Sequence, residues 1–183
     1  MRKLIAGINT TLDGRCDHRT VIADDDLHRY SAAQLDRIEI ALFGRNTYEL
    51  FLSHWPGVAE SGVGAAGEVA YARAIRPVPK IVFSKSYVAE GWNTTSVATD
   101  AVSAIRQLKQ LPGKDLLLCA SPSLFTSLRE AGLIDEYHLV LHPIVAGTGP
   151  VLFRDATALQ QLKLVDAQQL KSGAVALTYL ANT

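Results

Sequence analysis

Three stretches combine residue types that can hold a phosphorylated ligand. The first is Phe43-Gly44-Arg45-Asn46-Thr47-Tyr48-Glu49, where an apolar run ends at Gly44 and a helical pattern follows at once. The first-turn N–H groups of a helix lack intrahelical partners and carry partial positive charge, so they bind phosphate. Gly44 lets the backbone approach a ligand, and Arg45 adds a permanent charge in a planar fork. A ligand-free reading stands beside it, because Asn46 and Glu49 have the spacing of a capping box. The second stretch is Cys119-Ala120-Ser121-Pro122-Ser123, again an apolar run that enters a helix. Ser121 suits an N-cap and Pro122 the first helical position, so a well-made helix start explains the same residues. The third is Val82-Phe83-Ser84-Lys85-Ser86, which sets a lysine between two hydroxyls, or is simply a solvated turn.

Ligands of open α/β sheets bind at the carboxyl ends of strands, where all three stretches fall. Together they suit a dinucleotide. Ser84 and Lys85 would then take the 2′-phosphate that separates NADPH from NADH. For proton transfer, the polar loop Thr11–Thr20 offers Asp13, Asp17 and His18. Acids and histidines in a solvated loop also need no catalytic reason.

Other patterns carry less. Gly62-Val63-Gly64-Ala65-Ala66-Gly67 matches G-x-G-x-x-G, but the preceding SHWPGVAES is no strand, so the Rossmann reading fails on context. His138 and His142 stand four apart on a predicted strand, roughly 13 Å at about 3.3 Å per residue, too far to share one metal ion. Cys119 reads as packing at a strand end. No nucleophile elbow and no P-loop motif occurs.

The elements that must position these groups alternate between strand-like and helix-like, as in an α/β domain. Strands are predicted at Lys3–Ile8, Ile38–Phe43, Lys80–Phe83, Val97–Ala98, Asp115–Cys119 and Ile134–Val145. Helices are predicted from Asp24 to Arg37, Thr47–Leu52, Glu68–Ile75, Ala101–Leu111 and Ser123–Ala131, the last stopped by Gly132. Ser53–Gly67 reads as a loop around Pro56. Leu162–Leu170 and Ala174–Leu180, split by Lys171-Ser172-Gly173, read as an antiparallel pair. Continuous apolar runs such as Leu116-Leu117-Leu118-Cys119 favour burial on both faces, as in a parallel sheet. The expected architecture is a mixed, mostly parallel central sheet flanked by helices, with a C-terminal antiparallel hairpin.

Composition agrees with one globular domain. The chain has 183 residues, 48% of them hydrophobic and 20% charged. Eighteen basic residues balance eighteen acidic ones, so no net field draws in nucleic acid or an acidic membrane. The two cysteines, Cys16 and Cys119, make no disulfide framework and suit a reducing cytoplasm. The N-terminal apolar stretch is interrupted at Asn9, too early for a signal peptide or a membrane span.

Further stretches complete an ordered pattern. They are Thr11-Leu12-Asp13-Gly14, Gly44-Arg45-Asn46-Thr47-Tyr48-Glu49, Ser84-Lys85 and Ala131-Gly132-Leu133-Ile134-Asp135-Glu136, then His142-Pro143-Ile144-Val145-Ala146-Gly147-Thr148-Gly149-Pro150-Val151-Leu152-Phe153. In this order, over most of the chain, they resemble the dihydrofolate reductase-like reductases, nearest the reductase half of the bifunctional riboflavin-biosynthesis deaminase-reductases. The resemblance implies a three-layer dihydrofolate reductase-like fold and NADPH as cofactor. Gly44, Arg45, Asn46 and Thr47 would line the pyrophosphate, with Ala120, Ser121 and Ser123 on its other side. Ser84 and Lys85 would hold the 2′-phosphate end, and about Gly7 to Gly14 would border the nicotinamide. Asp26 falls roughly where dihydrofolate reductases carry their pterin-binding carboxylate, which makes it a candidate catalytic acid beside Asp13 of the first loop. Two residues depart from the family pattern. Ala120 replaces a usual glycine, where a methyl crowds the phosphate or restricts the backbone, and Lys85 replaces a usual arginine and lacks its fork.

The implied function is hydride transfer from NADPH to a small heterocyclic, imine or carbonyl substrate, riboflavin-precursor-like or pterin-like, in a homodimer. A second reading stays open: a nucleotide-binding or regulatory module that kept the fold and lost the chemistry. The Pro-Trp pair usual in the first loop of folate reductases is missing.

Overall fold

The architecture follows from strands that are apolar on both sides. In β1 (Leu4–Thr11), Leu4, Ala6 and Ile8 pack into one core cluster and Ile5 into another. In β5 (Asp115–Cys119), Leu116 and Leu118 face the first cluster, and Leu117 and Cys119 the second. A period of two with apolar residues on both faces requires helices on both sides. Each buried Leu or Ile contributes about 1.5–3 kcal/mol, so this pattern outweighs local preferences.

A computed structural model describes residues 1–97, 100–154, 156 and 159–182. The remaining strands are β2 (Ile38–Gly44), β3 (Lys80–Phe83), β4 (Thr94–Val97), β6 (Glu136–His142), β7 (Leu162–Gln169) and β8 (Val175–Ala181). They form one sheet in the order β4-β3-β2-β5-β1-β6-β8-β7. Pairing is parallel from β4 through β6 and antiparallel for β6–β8 and β7–β8. This is the expected mixed, mostly parallel α/β sheet with a closing hairpin. The expected strand at Val97–Ala98 is observed as β4, and Ala98 lies outside the described residues.

The helices are α1 (Asp25–Gln34), α2 (Arg45–Ser61), α3 (Ala66–Ile75), α4 (Ala101–Gln110) and α5 (Pro122–Glu130). Ile105 of α4 and Phe125 and Leu128 of α5 fill one face of the sheet. Tyr48 of α2 and Tyr71 and Ile75 of α3 fill the other. Leu27 of α1 covers Val140 and Ala176 beside them. Among the described residues no helix is long and apolar enough to cross a membrane.

The predicted short helix Thr47–Leu52 and loop Ser53–Gly67 are corrected. The helix α2 begins at Arg45 and runs through Pro56 to Ser61, where Gly62 ends it in the left-handed conformation. An internal proline costs about 3 kcal/mol. Tyr48, Phe51 and Trp55 offset that cost by edge-to-face contacts with Phe43 and Tyr71. The Gly62–Gly67 segment therefore joins two helices, so no strand leads into it. Its last glycine is a packing glycine: a Cβ on Gly67 would run into Asp25, whose side chain accepts the Gly67 N–H.

Buried charges tie the amino ends of the strands. The Lys80 ammonium donates to the carbonyls of Ile75 and Val78, both at 2.8 Å, and caps the end of α3. Arg37 bridges Asp115 and Glu136 at 2.7 and 2.8 Å. Lys3 and His138 also reach Glu136, at 3.2 and 2.9 Å. Burial pushes the Glu136 carboxyl up, but Arg37, His138 and Lys3 outweigh it and hold it at about 2, against 4.5 for an unperturbed glutamate. A depressed carboxylate stabilises the fold above the unfolded value and loses that contribution as pH falls through the folded value. Glu136 therefore contributes on the order of 3 kcal/mol at neutral pH, lost between pH 4.5 and about 2. We expect Glu136→Gln to lower the unfolding free energy at pH 7 and to flatten its decline below pH 4.5 in urea titrations. An unchanged acid slope would show that the Arg37 cluster does not carry this linkage.

Candidate functional site

The carboxyl ends of β2, β3 and β5 open onto one cleft of about 540 Å³. Gly44, Arg45, Asn46 and Thr47 form one wall, Ser121 and Ser123 a second, and Ser84 and Lys85 the rim. The three stretches distant in sequence thus meet, because β3, β2 and β5 are neighbours in the sheet. Ala120 stands just behind the second wall. A further cleft of about 610 Å³, at the amino ends of β3 and β4 beside Pro56 and Trp92, includes none of these residues.

Three helices start at the first cleft; Asp100 caps α4, and among the described residues no side chain caps α2 or α5. The capping-box reading of Asn46 and Glu49 is corrected. The helix starts two residues before Thr47, Gly44 holds the N-cap position, and Glu49 pairs with Arg45 at 3.2 Å. The first-turn N–H groups of α2 therefore keep their capacity for an anion. Arg45 also lies 5.1 Å over the Tyr87 ring, which holds its guanidinium beside the rim.

Ser121 is the second correction. Its hydroxyl does not cap α5. It accepts the Gly44 N–H at 2.9 Å and donates to the Cys119 carbonyl at 2.9 Å. One buried hydroxyl thus ties the end of β2 to the end of β5, and Ser123 and Leu124 are left to offer the free N–H groups of α5. This geometry requires an unusual backbone. Ala120 and Ser121 both have positive φ, 44° and 56°. A non-glycine residue in that region costs roughly 1–2 kcal/mol. The expected restriction at Ala120 is real, yet the chain adopts the turn, held by the Ser121 hydroxyl and by the Ala120 N–H to Gly7 carbonyl bond of 2.9 Å.

At the rim, Ser84 Oγ accepts the N–H groups of Tyr87 at 3.1 Å and Ser86 at 3.4 Å, leaving its O–H to donate outward. Lys85 is exposed, with no hydrogen bond or ion pair among the described residues. Sequence reasoning missed Asp100, which also lines the cleft. Its carboxylate faces its own helix, accepting from Ser103 N at 3.0 Å and Ser103 Oγ at 2.8 Å. The Ser103 bonds hold it below the usual carboxylate range and turn its charge from the cleft. The spacing Asp100-x-x-Ser103 was the available signal.

The expected catalytic acids are engaged elsewhere. Asp13 accepts from Thr11 Oγ1 at 2.6 Å, Gly147 N at 2.8 Å and Ala146 N at 3.0 Å. These bonds, the Thr11 one foremost, hold its carboxyl well below the usual range, so it has no proton to give near neutrality. Asp13 instead zips the first loop to the Ala146-Gly147 turn, with Leu12 N to Ile144 O and Cys16 N to Pro150 O, both 2.9 Å, alongside. Asp26 accepts the Lys171 N–H at 3.0 Å. That bond turns it to the β7–β8 hairpin, with β1 and β6 between it and the cleft. Asp17 is bound by Arg19 at 2.6 Å, and His18 is exposed beside it. Burial pushes the Cys119 thiol up to about 12, consistent with a packing role.

The relatives match this architecture. The uncharacterized protein YyaP of Bacillus subtilis (strain 168) is 28% identical over 183 residues, 97% of this chain and 94% of that one. A Shewanella sp. PV-4 protein attributed to riboflavin biosynthesis superposes with a TM-score of 0.73 at 21% identity, covering 99% of both chains. The Thermotoga maritima diaminohydroxyphosphoribosylaminopyrimidine deaminase/5-amino-6-(5-phosphoribosylamino)uracil reductase gives 0.66 at 18% identity, over 99% of this chain and 57% of that one. Enterococcus faecalis dihydrofolate reductase, solved with NADP(H), gives 0.58 at 16% identity, over 99% and 97%. These likenesses fix the fold as dihydrofolate reductase-like. Residues 2–176 match the model of the RibD C-terminal domain, and the chain belongs to that family.

Proposed function

We propose that this protein is an NADPH-dependent reductase of a small heterocyclic, imine or carbonyl compound. The observation that carries the reading is the pair of uncapped helix N-termini facing one cleft, with a lysine at its rim that forms no ion pair among the described residues. Two free N–H arrays suit the two phosphates of a dinucleotide. Lys85 and the Ser84 hydroxyl suit the 2′-phosphate. When bound, the nicotinamide supplies the hydride, and the protein supplies binding, orientation and the exclusion of water. Ser121 keeps the two phosphate-binding strand ends at a fixed spacing. The loop braced by Asp13 borders the carboxyl end of β1, where the reacting rings would lie.

The second reading, a module that binds the nucleotide without turnover, is favoured by one observation. Asp13 and Asp26 are both committed to backbone N–H groups rather than to the cleft. The two readings differ in turnover alone. The reductase oxidises NADPH in the presence of a flavin precursor, dihydropterin or small carbonyl compound, and the module binds NADPH without oxidising it.

Calorimetric titration of NADPH and NADH tests the shared premise. NADPH is expected to bind at least tenfold more tightly, since one charge-assisted hydrogen bond contributes about 1.5–3 kcal/mol. Lys85→Ala should abolish that preference and leave NADH affinity unchanged. Failure of both nucleotides to bind at about millimolar concentration, roughly 4 kcal/mol of binding free energy, would remove the cofactor site altogether. A separate outcome concerns Ser121→Ala. Losing the hydroxyl leaves the Gly44 N–H and the Cys119 carbonyl without their partner, which should cost about 1–3 kcal/mol of stability and weaken NADPH binding in parallel. Unchanged chemical denaturation would rule out the latch assigned to Ser121.

A further inference from the structure

The central strand has an opening on one face. Ile5, Gly7 and Asn9 share the α1–α3 side of β1. Ile5 is 1% exposed, whereas Gly7 and Asn9 are only partly covered. A residue midway along a strand flanked by β5 and β6 is normally roofed by helices. Here the cover lapses at Gly7 and Asn9, between buried Ile5 and buried Thr11, beside the Ala120 turn that bonds to Gly7. The opening therefore adjoins the cleft assigned to the cofactor.

Of the two polar side chains that β1 carries on this face, Thr11 is buried with its hydroxyl on Asp13, and Asn9 is oriented by a buried histidine. His142 is 1% exposed on β6. Its Nδ1 faces the Ile22 N–H at 3.3 Å, and its Nε2 faces Asn9 Oδ1 at 3.0 Å. A backbone N–H can only donate, so Nδ1 must accept. The ring proton of neutral His142 then sits on Nε2, and that nitrogen must donate. The Asn9 atom beside it must accept, which makes it Oδ1 and settles which way the carboxamide points. The Nδ2 group is thereby turned away from His142. It has no partner among the described residues, and it is not one of their fully buried, unsatisfied atoms. Two N–H donors on a held carboxamide thus stand at the opening of β1.

We propose that Asn9 is a ligand-contacting residue that donates from Nδ2 to a ring-conjugated carbonyl oxygen bound against β1, with His142 as its positioning residue. The proposal rests on the reductase reading for the location of the reacting rings. The acceptor is an oxygen with a free lone pair. A carboxamide with only its N–H groups exposed does not favour an ammonium or a protonated ring nitrogen, which would need an acceptor there. The site therefore selects for cyclic amides, enones and related carbonyl rings over amines. The same chemistry is also present in the nicotinamide carboxamide, so the test separates the two sources.

The experiment uses the ¹⁵N-labelled full chain. Long-range ¹H–¹⁵N spectra should show His142 as the Nε2–H tautomer. An Nδ1–H tautomer would reverse the carboxamide and overturn the proposal. The Asn9 Nδ2 protons, identified by their loss in Asn9→Asp, are then followed on adding uracil, 2-cyclohexenone, NADPH and 2′-phospho-ADP-ribose, which lacks the nicotinamide. A downfield shift with uracil or cyclohexenone, weakened about tenfold in Asn9→Asp and in Asn9→Ala, assigns the carbonyl to the substrate. A shift with NADPH alone, absent with 2′-phospho-ADP-ribose, assigns it to the cofactor carboxamide and supports the same contact. Asn9 protons unmoved by all four compounds overturn the proposal. Failure of 2′-phospho-ADP-ribose to bind sinks the cofactor reading instead, while the uracil and cyclohexenone titrations still judge Asn9.

Discussion

Burial of the central strands on both faces is the constraint from which the rest of the molecule follows. With Leu4, Ala6 and Ile8 covered on one side and Ile5 on the other, β1 has no lateral surface to give to a ligand over its first half. Leu116 to Cys119 of β5 are likewise covered on both faces, as are Ala41 to Phe43 of β2. Polar chemistry is thereby driven to the strand ends, where backbone groups leave the ladder and helices begin. The amino ends carry the structural charges, Arg37 with Asp115 and Glu136, and Lys80 on the carbonyls that close α3. The carboxyl ends carry the groups left free to meet a ligand.

That division explains why Ser121 matters more than its hydrogen bonds alone suggest. Two uncapped helices form a phosphate site only if their starts are held at a fixed separation. A serine hydroxyl between Gly44 N and Cys119 O holds them, at the expense of two consecutive residues with positive φ. Backbone strain of this kind persists only where surrounding bonds over-determine it, and it gathers at functional sites. The glycine usual in the family at the position of Ala120 would adopt this turn without the strain. This chain tolerates a methyl there because the bonds on either side hold the turn.

Acidic residues show the opposite economy. Asp13, Asp24, Asp25 and Asp26 all spend their oxygens on backbone N–H groups, bracing the first loop, capping α1 and fastening α1 to its neighbours. A carboxylate in such a place is an anchor, its lone pairs already taken up by the backbone. The face of β1 left uncovered is polar through an amide instead, oriented by a neutral histidine.

The order of motifs along the chain was sufficient to identify the fold family, because strand ends, turn glycines and helix starts are local features that residue type reports directly. The same locality made Gly44 to Thr47, Ser84, Lys85 and Ser123 legible as one site once their strands were placed side by side. Other features depended on contacts between distant segments. Whether Pro56 breaks a helix was decided by the aromatic packing of Tyr48, Phe51 and Trp55 against Phe43 and Tyr71, contacts that the local pattern does not report. Whether Asn46 or Ser121 caps a helix was decided by where each helix begins and by what lies opposite, Gly44 in the case of Ser121. The availability of Asp13 and Asp26 was decided by N–H groups more than a hundred residues away, at Gly147 and Lys171. Asn9 carried no signal by itself, since only the fold sets His142 beside it and Ile22 beside His142. Residue types and short spacings therefore determined which groups can hold a ligand. Only the tertiary structure decided which of them remain free to do so, because a polar group meets either its protein partner or a ligand, and that competition is settled across the whole chain.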